Sequence, residues 1–166
     1  MFSPSQPNDA VPPATPEERL LAAGIVLPAP RAPIANFVGG VLVGDLLFLS
    51  GQGPTSPDGK AVGKVGRDVG VEEAYRHARL AGLNLLSQMG AILGSLNHVS
   101  RIVKVFGMVN AADHFAAHPQ VIDGCSDLFV EVFGANGSHA RSAVGMSSLP
   151  GGITVEIEAV VAVDKR

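Results

Sequence analysis

Apolar residues recur along this chain in two rhythms, and the switches between them mark its elements. Ala74, Ala78, Ala81, Leu85, Met89 and Ile92 return every three or four positions. That spacing forms one stripe of a helix over residues 71–94, with Gly94 as its terminator. A second helix is predicted over 119–133. Ile122, Cys125, Phe129 and Val132 form its inner face, His118 its cap and Gly134 its end. Elsewhere the runs are short and rich in β-branched residues, the mark of strands. Phe37–Val43 and Leu46–Gln52 flank Gly44-Asp45, which suits a two-residue hairpin turn. With Val43 opposite Leu46, Gly39 faces Ser50 and Phe37 faces Gln52. Arg101–Val109 is a third strand. Arg141–Ser148 and Ile153–Val163 flank Leu149-Pro150-Gly151-Gly152 and read as a second hairpin. Ser148 opposite Ile153 sets Val144 against Ile157 and Met146 against Val155, an apolar face for the helices.

The front of the chain differs. Thr15-Pro16-Glu17-Glu18 has the makings of a helix start: a capping hydroxyl, a proline at the first position and a glutamate to close the box. Gly24 stops that helix, and Pro28, Pro30 and Pro33 keep 28–34 extended. Residues 1–14, rich in proline and small residues, read as a disordered tail. The division is therefore tail 1–14, helix and proline-rich linker 15–35, and one domain over 36–166. Residues 53–70 form a long glycine-rich loop, and Asn136–Ser138 a short one. The order ββ, α, β, α, ββ implies an α+β fold, a mixed sheet with both long helices on one face.

Composition narrows the function. Hydrophobic residues make up 46% of the 166 and charged residues 16%. So apolar a chain is expected to bury surface against copies of itself. The net charge of −3 and the absence of a Lys/Arg block argue against nucleic-acid binding, which rests on phosphate neutralisation. Cys125 is the sole cysteine, so no intrachain disulfide forms and a reducing compartment fits. No stretch reads as a signal peptide or a membrane span, and a cytoplasmic location is expected.

Candidate chemistry gathers on the last hairpin. In the register above, Glu156 and Glu158 lie about 7 Å apart on the face away from the helices, and Arg141 points the same way. If that face is solvated, the charges are ordinary. If other subunits cover it, they form a polar cluster able to grip a small carboxylate. Gly145 beside Glu156 and Gly39 beside Ser50 would leave room for the ligand. Other features are weaker. His114 and His118 stand four apart, but Pro119 breaks the helical frame and no third ligand is spaced to help, so no metal is expected. His77, His98 and His139 are isolated. Ser50 lacks a nucleophile elbow. Cys125 falls on an apolar stripe and reads as a buried, inert thiol. The glycines of 59–70 match no phosphate loop or dinucleotide fingerprint, and no cofactor is expected.

Ala140-Arg141-Ser142-Ala143-Val144, Leu149-Pro150 and Val155-Glu156-Ile157-Glu158-Ala159 together resemble the C-terminal signature of the Rid/YjgF family. Leu49-Ser50-Gly51-Gln52, with Pro54 two residues on, resembles its N-terminal signature. The resemblance spans about residues 34–163, with a front end longer than in the archetypal RidA. It implies the fold of the trimeric bacterial-type chorismate mutase: three sheets meeting as a barrel, helices outside, and clefts between subunits. It also implies that Arg141 binds the carboxylate of a reactive enamine or imine, such as 2-aminoacrylate. Water attacks the imine carbon, ammonia leaves and a 2-keto acid results. Glu156 matches the cleft glutamate that would orient the water. Ser50 matches the serine beside the ligand, and Gly51 contributes backbone. Asp123 falls near a position often held by asparagine.

Two positions depart from that pattern. Ala143 replaces a frequent cysteine, so only its backbone can contribute. Phe37 stands where RidA-type members carry tyrosine, so a hydroxyl is missing. The resemblance thus leaves two expectations in play, an enamine/imine deaminase and a non-catalytic 2-keto acid binding protein. A ribonuclease or translation inhibitor is the third reading, disfavoured by the acidic balance.

Overall fold

The structure, a computed structural model, describes residues 14–32 and 35–164. The proposed tail, up to residue 13, and the linker positions 33 and 34 lie outside the described residues. Helix α1, Pro16–Ala22, starts as its sequence dictates. Thr15 Oγ1 accepts from the Glu18 amide at 3.3 Å, and the Glu18 carboxylate accepts from the Thr15 amide at 2.8 Å. Such a cap is worth about 1 kcal/mol. Glu17 ties α1 to the body, accepting from the Ser95 hydroxyl at 2.6 Å and the Leu96 amide at 3.2 Å.

The other elements are β1 (Gly40–Val43), β2 (Leu46–Gln52), β3 (Thr55–Ser56), β4 (Gly59–Lys60), α2 (Val71–Leu93), β5 (Val99–Asn110), α3 (His118–Phe133), β6 (Ala140–Met146) and β7 (Val155–Val163). Five strands form one sheet in the order β1-β2-β7-β5-β6, antiparallel except for the β5–β6 pair. Both long helices contact the same side of it. On α2, Ala74, Ala78, Ala81, Leu85 and Met89 are fully buried, as are Ile122, Cys125, Phe129 and Val132 on α3. Each large side chain so buried stabilises the fold by about 1.5–3 kcal/mol. Burial also pushes the Cys125 thiol pKa far up, consistent with an inert core residue. The helices approach closely at Gly124, where a β-carbon would collide with the Tyr75 carbonyl. No helix of the described residues is long and apolar enough to cross a membrane.

The first hairpin has the expected register, Val43 opposite Leu46, with a positive φ of 60° at Gly44. Its first strand is shorter than the apolar run. The Phe37 amide donates to the Ala35 carbonyl, a turn that takes the chain off the sheet, so Phe37 lies half-exposed rather than opposite Gln52. His118 does not cap α3. It is the helix's first residue, and its ring packs edge-on to Phe115 at 5.2 Å. The 53–70 segment is better ordered than a loop. It holds β3 and β4, buries Val65 and Val69, and bridges to Ala111 and Ile153.

The last two strands overturn the expected second hairpin. β6 and β7 do not pair; β5 lies between them. The rows across the sheet run Arg141–Val105–Ala159, Ser142–Phe106–Glu158, Ala143–Gly107–Ile157 and Val144–Met108–Glu156. The parity is therefore one residue off the hairpin register, and a one-residue slip exchanges the faces of every side chain. Val155 and Ile157 face the helices and are fully buried, but Val144 and Met146 face the other way. The linear pattern did not reveal this because β6 carries apolar residues on both faces.

Candidate functional site

The slip in register separates the two charged groups expected to share a face. Arg141 shares the helix side with Val105 and Ala159, and Glu156 shares the opposite, open side with Met108. Two half-sites result.

The first is built on α3 and the edge strand β6. Asp123 and Ser126 lie three apart on α3 and so project from one face of it. His139 and Arg141 lie two apart where β6 begins, and so share a side. These four side chains meet. Arg141 Nη1 donates to Asp123 Oδ1 at 2.7 Å and to Ser126 Oγ at 3.0 Å. Ser126 Oγ lies 3.0 Å from His139 Nε2, and His139 Nδ1 lies 2.6 Å from the Gly137 carbonyl. The Phe129 ring packs edge-on to the imidazole at 6.0 Å. Arg141 and Asp123 keep side-chain exposures of 23% and 44%, so the pair is open on one side. The Nε and Nη2 groups of Arg141 have no partner among the described residues. Neither is sealed away, because Asn110 Oδ1 is the only fully buried side-chain polar atom there without a partner. Ala143 follows Arg141 on the same side and packs on the core. Gly145 lies beneath the His118 ring, which a β-carbon there would push aside.

The second half-site lies on the open face, where β2 bulges. Leu49 pairs with Ala159 and Gln52 with Ile157, so three steps on β2 match two on β7. Ser50 and Gly51 occupy the bulge, a device that re-aims the chain beside functional groups. Ser50 Oγ donates to the Val38 carbonyl at 2.6 Å. Gly51 sits against the Glu156 side chain. Glu156 has no hydrogen bond or ion pair among the described residues. Burial pushes its carboxyl pKa up, and the charge of Glu158 adds to the shift. The structure thus sets Gly51 against Glu156, with Ser50 beside Gly51 in the bulge, and separately joins Arg141 to Asp123, with Ala143 next along the same side of β6. Phe37 belongs to neither cluster by any bond.

Ser126 and His139 were not foreseen as site residues. Their signals were present, since Ser126 stands at i+3 from Asp123 and His139 at i−2 from Arg141. Recognising them required knowing that β6 lies on α3. No group of three or more His, Cys, Asp or Glu able to hold a metal occurs among the described residues.

A family model described as "YjgF/chorismate_mutase-like, putative endoribonuclease" matches residues 17–153. The chain belongs to this Rid/YjgF family. It is 43% identical over 140 residues to Protein TCP17 of Trypanosoma cruzi, covering 83% of this chain and 88% of that protein. It is also similar to the crystal structure of Atu1372 from Agrobacterium tumefaciens, a protein of unknown function. That match has 42% identity and a TM-score of 0.82, covering 91% of this chain and 93% of the other. A more distant structure is E. coli TdcF with bound serine, at 25% identity and a TM-score of 0.57 over 82% of this chain and 94% of the other. The Rid/YjgF fold is therefore conserved while the identity falls to a quarter.

Proposed function

We propose that this Rid/YjgF protein binds a small metabolite by its carboxylate on Arg141 and hydrolyses the enamine or imine it carries. One observation carries the reading. The Arg141 guanidinium is held from its Nη1 side by Asp123 and Ser126, with Nε and Nη2 unpartnered. That remaining edge carries two parallel N–H groups, the fork that grips a carboxylate in bidentate fashion. The serine bound to E. coli TdcF is a ligand of the right kind, small and carboxylate-bearing.

Chemistry then requires little from the protein. A 2-aminoacrylate-like imine is electrophilic at the carbon beside its carboxylate. Water adds to that carbon, the carbinolamine loses ammonia, and a 2-keto acid remains. Fixing the carboxylate beside one oriented water supplies the proximity term, and Glu156, with its raised pKa, accepts or returns the proton. Within one chain Glu156 and Arg141 lie on opposite faces of the sheet. The proposal therefore places the complete site in a cleft between protomers of a trimer, where edge strand β6 of one meets the open face of the next. The exposed apolar groups of that face, Phe48, Val41 and Val43 among them, are the surface such packing would cover. The protein is read as cytoplasmic, acting on a small metabolite, without cofactor or metal. Its net charge of −3 disfavours an RNA substrate.

The test is a stopped-flow assay in which a serine dehydratase generates 2-aminoacrylate. The protein should accelerate ammonia release, and Arg141→Ala should not. Equal rates with and without the protein would end the deaminase reading. One observation favours a second reading, a 2-keto acid binding protein without turnover. Ala143 and Phe37 supply neither the thiol nor the hydroxyl of RidA-type members. Calorimetric binding of pyruvate by a protein that leaves 2-aminoacrylate untouched would select it.

A further inference from the structure

We infer that Ser126 and His139 are positioning residues that fix the carboxylate-gripping edge of Arg141 through a directed chain of hydrogen bonds; this rests on the function proposed above. The direction of the chain follows from chemistry. The Gly137 carbonyl can only accept, so His139 Nδ1, 2.6 Å away, carries a proton and donates it. In the neutral ring Nε2 then has a lone pair and no hydrogen. The Ser126 hydroxyl, 3.0 Å away, must donate to it. That uses the one hydroxyl proton and leaves its lone pairs toward Arg141 Nη1, which donates at 3.0 Å. Asp123 takes the second Nη1 proton at 2.7 Å. With both Nη1 protons committed to one helix, the guanidinium plane is fixed, and the Nε–Nη2 edge is the part left to a ligand.

The groups facing the ring are Ser126 and Phe129 of α3, the Gly137 carbonyl and Arg141. Burial, and then the charge of Arg141, lower the His139 pKa despite the bond to Gly137, which favours the neutral ring that this order of donors and acceptors requires.

Calorimetric titration of pyruvate into the full chain at pH 7.5, with Ser126→Ala, Ser126→Thr, His139→Phe and Arg141→Ala beside it, tests the positioning role. Ser126→Ala and His139→Phe should bind about tenfold more weakly, the loss expected for one hydrogen bond to a charged group. Ser126→Thr, which keeps the hydroxyl, should restore binding. Tight pyruvate binding by Arg141→Ala would remove the proposed site itself. Abolished binding in Arg141→Ala, with unchanged affinity in Ser126→Ala and His139→Phe, would overturn the positioning role alone. Should the variants not fold, nitrogen NMR of the unmodified protein decides. A Nδ1–H tautomer of His139 supports the chain, and a Nε2–H tautomer overturns it.

Discussion

Gly51, on the bulge of β2, lies against the side chain of Glu156, where a β-carbon would fall on Oε1 and within 3.0 Å of Cγ. A β-carbon there would push the carboxylate aside, because what it meets is the flexible end of a side chain. Gly51→Ala should displace Glu156 and lower imine turnover at least about tenfold, while costing only about 1 kcal/mol of stability. Paired turnover and urea-unfolding measurements check this. Full activity in a folded variant would detach Glu156 from the chemistry.

Arg141→Lys should weaken pyruvate binding by about tenfold or more, because an ammonium keeps the charge but loses the fork. Stability should change by less than about 1 kcal/mol, since Asp123 is 44% exposed and its ion pair is solvent-screened. Calorimetry and thermal melts separate the two effects.

The open sheet face presents Phe48 at 46%, Val41 at 51% and Val43 at 61% exposure. A Phe48→Glu substitution should convert the proposed trimer into single chains in sedimentation equilibrium. An unmodified chain that itself sediments as a monomer would remove the cleft in which Arg141 and Glu156 are proposed to meet.

Burial raises the Glu156 pKa above its usual 4.5. The sign follows from linkage. The neutral acid is tolerated at low pH, and stability is lost as pH rises through the folded pKa, where the buried carboxyl must ionise. In single chains freed by Phe48→Glu, where no neighbouring Arg141 reaches it, Glu156→Gln should therefore melt increasingly higher than its parent as pH climbs from 4 to 7. The opposite slope in those single chains would show that burial does not penalise the Glu156 carboxylate.

Gly124→Ala places a methyl group on the Tyr75 backbone, which no side-chain rotation relieves. The α2–α3 contact should open at a cost of about 3 kcal/mol or more. Urea denaturation measures it, and a near-neutral change would mean that the helices pack more loosely than described.

Periodicity and capping chemistry lie within a few residues of each other, so the sequence by itself determined the helices, the capping box at Thr15 and the first hairpin. The family signature likewise singled out Arg141, Ser50, Gly51 and Glu156 as residues to watch. Strand order was beyond it. Val144 and Met146 on one side of β6, and Ala143 on the other, satisfy the apolar pattern in either register, and Leu149–Gly152 is a length that a hairpin tolerates. Only the tertiary structure inserted β5 between β6 and β7. That single non-local choice shifted the register by one residue, turned Arg141 toward α3 and set it on Asp123, Ser126 and His139. Side-chain direction in a sheet alternates with every residue, so the partner strand decides the face on which each group does its chemistry.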